Sequence, residues 1–155
     1  MSRDIQNPRI ESVQIDQLSC WRVHTAYGEA LIAQQGAQLL SYTPHGQPAI
    51  VWLSETAEFK TGQGLRGGVP VCWPWFGGLD FNPASVQAAY RGEQAPAHGL
   101  VRTLDWQLDK VTESAEQTSL HLSFDASAGL PNWPHSARLE LVMTFGERLT
   151  LALTT

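Results

Sequence analysis

Ala137-Arg138-Leu139-Glu140-Leu141-Val142-Met143-Thr144-Phe145 is the stretch that decides the fold class. Successive side chains of an extended strand point to opposite faces, so Leu139, Leu141, Met143 and Phe145 share one side and Arg138, Glu140 and Thr144 the other. Upstream, Ser119-Leu120-His121-Leu122-Ser123-Phe124 repeats the alternation with Leu120, Leu122 and Phe124 inward. Downstream, Leu149, Leu151 and Leu153 resume it after the turn at Gly146-Glu147. Such patterning predicts half-buried antiparallel strands, one face to a core and one to solvent.

Towards the N-terminus the alternation is less regular. Short apolar runs near Val13–Ile15, Cys20–Thr25, Ala30–Gln34, Gln38–Thr43, Ile50–Leu53 and Trp106–Val111 are bounded by turn formers such as Tyr27-Gly28, Gln35-Gly36 and Pro44-His45-Gly46. Strands at intervals of roughly ten residues predict a sandwich or barrel. No segment sustains a helical period, although Ser54 to Phe59 has room for one turn capped by Ser54. The expected fold is all-β, an antiparallel β-sandwich, with residues 1–155 as a single domain. Two stretches depart from this scheme. Gly77 to Pro96 reads as a loop of about twenty residues, a length that in a compact domain marks function or disorder. Leu149 to Thr155 is a strand pattern with no turn or cap after it, from which a chain truncated at its C-terminus is expected.

At 155 residues, with 43% hydrophobic and 16% charged residues, the chain can build one core without disulfides or a structural metal. A net charge of −5 argues against general nucleic-acid binding, which needs a basic footprint to displace counterions from phosphates. A small anion is another matter, because two or three well-placed arginines can hold one on an acidic protein. Cys20 and Cys72 lie far apart without CxxC spacing, residues 1–8 lack the apolar core of a signal peptide, and no apolar run approaches membrane-spanning length. The expected compartment is a reducing cytoplasm, with no nucleic-acid or membrane partner.

Gly62-Gln63-Gly64-Leu65-Arg66-Gly67 matches GxGxxG in letters. The dinucleotide fingerprint needs a helix to open there, and Val69-Pro70-Val71-Cys72-Trp73-Pro74-Trp75 cannot open one. The stretch reads instead as a glycine loop that delivers Arg66. In Arg66-Gly67-Gly68 the two glycines would let the backbone approach a ligand closely. Trp73, Trp75 and Phe76 are costly to expose, so they line either a core or a ligand-facing wall, and sugar rings favour flat aromatic walls on their C–H faces. His98, in Pro96-Ala97-His98-Gly99-Leu100-Val101-Arg102, could offer its imidazole to a pocket or serve as an ordinary structural group. Arg66 and Arg102 could together form a fork for phosphate or carboxylate; the alternative for Arg102 is a surface ion pair with Asp105. The histidines lack zinc spacing, no GxSxG elbow occurs, and nothing in the spacing of Asp80 and Glu93 brings them together.

Taken together, Arg66-Gly67-Gly68-Val69-Pro70-Val71-Cys72-Trp73-Pro74-Trp75-Phe76-Gly77, then Ala97-His98-Gly99-Leu100-Val101-Arg102 and Trp106, resemble the aldose 1-epimerase superfamily. Within it they look like the hexose-6-phosphate mutarotase (glucose-6-phosphate 1-epimerase) branch, as do Gln35-Gly36-Ala37 and Val51-Trp52-Leu53-Ser54 ahead of Ala57 and Phe59. The resemblance implies half of a galactose-mutarotase-like β-supersandwich, an isomerase of carbohydrate metabolism that interconverts the α and β anomers of glucose 6-phosphate or a similar aldose, and no metal or organic cofactor. It implies that Arg66 and Arg102 contact substrate, with Arg66 towards the phosphate, and that His98 lies at the sugar. The reading of the aromatics adds Trp75 as the pocket wall. The family's general acid, in a His-x-Tyr-Phe motif, has no counterpart here, since His121 is followed by Leu122-Ser123 and His135 by Ser136-Ala137. On this resemblance the chain is the N-terminal, substrate-binding half, and the acid and base that move protons lie outside it. The alternative is a non-catalytic carbohydrate or sugar-phosphate binding module. Self-association through exposed strand edges is expected of a halved sandwich.

Overall fold

The computed structural model describes residues 9–155; the stretch read for a signal peptide, residues 1–8, lies outside the described residues. Strands β1 (Arg9–Ile15), β2 (Leu18–His24), β3 (Gly28–Ala33) and β4 (Gln38–Pro44) lie side by side in chain order in one antiparallel sheet. Strands β5 (Gln107–Glu113), β6 (Thr118–Ala126), β7 (Ala137–Phe145) and β8 (Leu149–Thr154) form a second sheet in the same way. The all-β, antiparallel expectation holds.

The alternation in β7 does what it predicts. Leu139, Leu141, Met143 and Phe145 are each 3% exposed or less, whereas Arg138 and Glu140 are in solvent. These residues and Leu120 and Leu122 of β6 pack against Val23, Ala30, Ile32, Leu39 and Tyr42 of the first sheet. The Tyr42 and Phe145 rings lie 5.1 Å apart. Burial of each such side chain is worth about 1.5–3 kcal/mol, and this shared layer is what couples the sheets.

The first sheet is less regular in sequence because it is covered on both faces. Leu18, Cys20, Ala33 and Leu40 point away from the main core into a second cluster closed by Leu53, Ala57, Phe59 and Leu65. A strand buried on both sides reads as a near-continuous apolar run, as Ala30–Ala33 and Leu39-Leu40 do.

Two local expectations need correction. Ile50–Leu53 is not a strand: Ile50 N–H donates to the Tyr42 carbonyl and Leu53 makes a single bridge to Gly67, while Trp52 stays 64% exposed. The single turn expected after Ser54 is present, with Ala57 N–H donating to the Ser54 carbonyl at 3.1 Å and Thr56 N–H to Ser54 Oγ at 3.3 Å, and Ala57 and Phe59 beyond it are drawn under the first sheet. The stretch Gly77–Pro96 is partly ordered into a 3-10 turn at Leu79–Phe81 and a short helix α1 (Ala84–Ala89) after Pro83, both too short to leave a periodic signature. Among the described residues no helix is long and apolar enough to cross a membrane.

Candidate functional site

The site segments converge on the turn between β3 and β4. Gln35 is 3% exposed and Gln38 2%, so their amides must find partners inside the protein. Gln35 clasps the glycine loop with both ends. Its Oε1 accepts from Gly62 N–H at 2.9 Å, and its Nε2 donates to the Gln63 carbonyl at 2.9 Å. Gln38 Nε2 donates to the Gly67 carbonyl at 2.7 Å. Between the two glutamines, Gly36 (φ +78°) admits the main chain of the other arginine segment. A β-carbon at Gly36 would lie 2.5 Å from the Arg102 carbonyl oxygen. Gly36 N–H also donates to the Leu104 carbonyl at 2.8 Å, and Trp106 Nε1 donates to the Val101 carbonyl at 3.2 Å.

Arg66 is exposed, and its carbonyl accepts from Ser54 N–H at 3.0 Å. The two glycines that follow let the protein's own backbone pass close by. A β-carbon on Gly67 would lie 2.8 Å from Leu53 Cα, and one on Gly68 would overlap the Leu39 carbonyl oxygen. Arg102 is half-buried, and its guanidinium lies on Gly64, two residues before Arg66, where a β-carbon would be 2.6 Å from Cζ. Among the described residues neither arginine forms an ion pair, so the Asp105 alternative is not realised. Asp105 instead bridges Gln35 through the backbone. The Cys72 thiol is pushed above its ordinary range by burial, with the Arg102 charge opposing.

His98 is carried by a crossing of the two motifs. Gly99 forms a parallel bridge with Trp73, and Leu100 N–H donates to the Trp73 carbonyl at 2.8 Å. His98 N–H donates to the Gly77 carbonyl at 2.9 Å, while Gly77 N–H donates to His98 Nδ1 at 3.0 Å. The three aromatics divide. Trp75 is 2% exposed, donates Nε1 to the Pro96 carbonyl at 3.0 Å, and packs on Tyr90 and Trp133 at 5.3 and 5.8 Å. Trp73 packs against the main core. Phe76 is 72% exposed, with its ring 5.0 Å from the His98 imidazole.

A cleft of about 370 Å³ lies along the 78–97 segment; Asp80, Gln87, Tyr90, Glu93 and Ala97 are among its lining residues, and His98 is not. It thus brings to one cleft the two carboxylates, Asp80 and Glu93, whose sequence spacing gave no sign of proximity. A larger groove of about 510 Å³, lined by residues between Glu29 and Pro48, does not include either arginine or His98. Of the residues singled out in the sequence, the structure seats the Arg102 guanidinium on the loop that carries Arg66 and ties His98 to Gly77, whereas Trp75, expected as a pocket wall, is an interior side chain because Tyr90 and Trp133 pack over it. The sequence reading missed the positioning role of Gln35 and Gln38 and the exposure of Phe76. The available signal was three glutamines, Gln34, Gln35 and Gln38, set inside the otherwise apolar stretch Ala30–Leu40.

The family model for aldose 1-epimerase matches residues 19–155. A candidate glucose-6-phosphate 1-epimerase of Escherichia coli (strain K12) is 38% identical over 134 residues, 86% of this chain and 42% of that protein. Its counterpart in Salmonella typhimurium is 39% identical over 133 residues, 85% of this chain and 42% of that protein. The crystal structure of a candidate mutarotase from Salmonella typhimurium matches with a TM-score of 0.77 at 34% identity, covering 94% of this chain and 46% of that one. The chain therefore spans less than half the length of these three relatives.

Proposed function

We propose that this chain, which belongs to the aldose 1-epimerase family, is the substrate-gripping part of a hexose-6-phosphate mutarotase acting on glucose 6-phosphate or a similar aldose. One observation carries the reading: the Arg102 guanidinium rests on the glycine loop that ends in Arg66, and neither arginine has an ion-pair partner among the described residues. On a chain of net charge −5, an exposed arginine and a second one seated on the same loop, neither of them ion-paired among the described residues, suit a phosphate, which accepts parallel N–H bonds. His98 sits at the sugar end, and Trp75 backs the pocket from inside. Mutarotation needs a base for the C1 hydroxyl and an acid for the ring oxygen, with roles exchanged on closure. In this reading both come from the remainder of a protein of the relatives' length, and residues 1–155 act as one β-sandwich domain. The compartment it implies is a reducing cytoplasm, with Cys20 and Cys72 as free thiols.

The test is a titration of the ¹⁵N-labelled chain with glucose 6-phosphate, with anomer exchange followed by NMR. Binding is expected around Arg66 and Arg102, lost in Arg66→Ala and Arg102→Ala, with exchange no faster than the spontaneous rate. Exchange above that rate, abolished by His98→Ala, would refute the division of labour and make His98 the acid of a minimal enzyme.

Self-association through β8 belongs to the same reading. Of the four sheet edges, β1 carries Arg9 and Glu11, β4 is covered by Val69 and Ile50, and β5 has an irregular register at Leu108/Lys110 with Asp109 and Lys110 beside it. Edge strands are protected by such charges, covers and bulges. Leu149-Thr150-Leu151-Ala152-Leu153-Thr154 has none of them.

A further inference from the structure

Phe76 and His98 form a unit that the arginine grip leaves unexplained. A phenyl ring 72% in solvent leaves most of its burial free energy unused, whereas Trp75 beside it has none left to give. The Phe76 ring is inclined 57° to the imidazole, 5.0 Å away between centroids. The imidazole itself is held by Gly77. Because Gly77 N–H donates to Nδ1, that nitrogen carries the lone pair, and the proton of the neutral ring sits on Nε2. His98 also holds φ +65°, a conformation that costs a residue with a β-carbon about 1 kcal/mol or more, offset here by the paired bonds to Gly77. Strain of this kind persists where the position of a side chain matters.

A pyranose presents an apolar C–H face and a rim of oxygens. An exposed ring next to a fixed N–H donor matches both features at once. We infer that Phe76, and not Trp75, is the surface on which the sugar face stacks, and that the Gly77 amide sets His98 to donate through Nε2 to a sugar oxygen. The inference rests on the sugar reading above and adds the contact that distinguishes a sugar phosphate from bare phosphate.

Two measurements test it. In the ligand-free chain at a pH of about 8, where an ordinary imidazole is neutral, long-range ¹H–¹⁵N correlation is expected to give the Nε2–H pattern for His98. An Nδ1–H pattern overturns the donor assignment. Titrations with glucose 6-phosphate and with inorganic phosphate are then compared in the native chain, Phe76→Ala and Phe76→Trp. Phe76→Ala is expected to weaken glucose 6-phosphate by about tenfold and leave phosphate unchanged, with Phe76→Trp restoring affinity. Phe76 is largely exposed, so the fold should persist, as an unchanged spectrum away from the loop would show. Native-like sugar-phosphate affinity in Phe76→Ala overturns the stacking role alone. A native chain that binds neither ligand defeats the sugar-phosphate reading, and this inference with it.

Discussion

The Arg102 guanidinium occupies the space that a β-carbon on Gly64 would take, so the arginine of one motif is seated on the loop of the other. Gly64 is not among the glycines with positive φ, and the atoms it would strike belong to the tip of a flexible side chain. Gly64→Ala should therefore cost less than about 1 kcal/mol of stability, since Arg102 can swing aside. Its phosphate affinity should fall by about tenfold, because a charge-assisted pair of hydrogen bonds loses its geometry. Thermal unfolding and calorimetric titration separate the two effects. Unaltered affinity would mean that the seat does not position Arg102.

Gly99 presents the opposite case. Its φ is +76°, and a β-carbon there would overlap the Trp73 carbonyl oxygen and lie 2.9 Å from Trp73 N, all backbone atoms within a bridge that cannot yield. Gly99→Ala should destabilise the chain by about 3 kcal/mol or more in denaturant unfolding. A cost under about 1 kcal/mol would show that the crossing of the two motifs is soft.

Gln38→Leu keeps the volume of a buried side chain and removes the amide that donates to the Gly67 carbonyl at 2.7 Å. The orphaned carbonyl should cost about 1–3 kcal/mol. Amide exchange should accelerate first in the 62–68 loop, before the β6–β7 pair, because the glutamine holds that loop and not the second sheet. Uniform acceleration would contradict a local role.

The second sheet was legible in the sequence because one of its faces is core and the other is solvent, as Leu139 against Glu140 illustrates. The first sheet was blurred because Ile32 and Ala33 enter different clusters on opposite faces, so no polar residue marks the strand's phase. The arginines and His98 stood out as charged or polar groups among glycines. What the sequence could not separate was Trp75 from Phe76: adjacent aromatics with the same chemistry end on opposite sides of the chain, one 2% and the other 72% exposed. That difference is set by packing on Tyr90 and Trp133, which lie far along the chain.

Cys20 gives the chain an alkaline dependence. Burial raises its thiol from 9.0 to about 11, with the Arg22 charge opposing. The unfolded chain ionises this thiol at the lower value and the folded chain only at the higher one, so the unfolded state binds fewer protons between them. Stability is then full below pH 9.0 and falls towards pH 11, by about 2–3 kcal/mol at most. Denaturant midpoints in the native chain should drop across that window, and in Cys20→Ala the drop should be smaller. Equal slopes in the two proteins would assign the alkaline loss to other groups.

Strand β8 is the edge on which association can be tested. Leu149 and Leu151 pack on the main core, and Leu153 remains 44% exposed at the end of the same row. If two copies pair antiparallel with Leu151 opposite Leu151, Leu149 of each faces Leu153 of the other, because directly opposed residues share a face. The leucine row then continues across the junction and Leu153 gains cover, with no charged residue anywhere in the strand to oppose contact. Leu153→Lys places a charge in that row at a site already open to solvent, so the fold should survive while the pairing is lost. Sedimentation velocity should show the native chain associating with rising concentration and the variant staying monomeric. A native chain that remains monomeric at its highest soluble concentration, or a variant that associates equally, removes β8 as the contact.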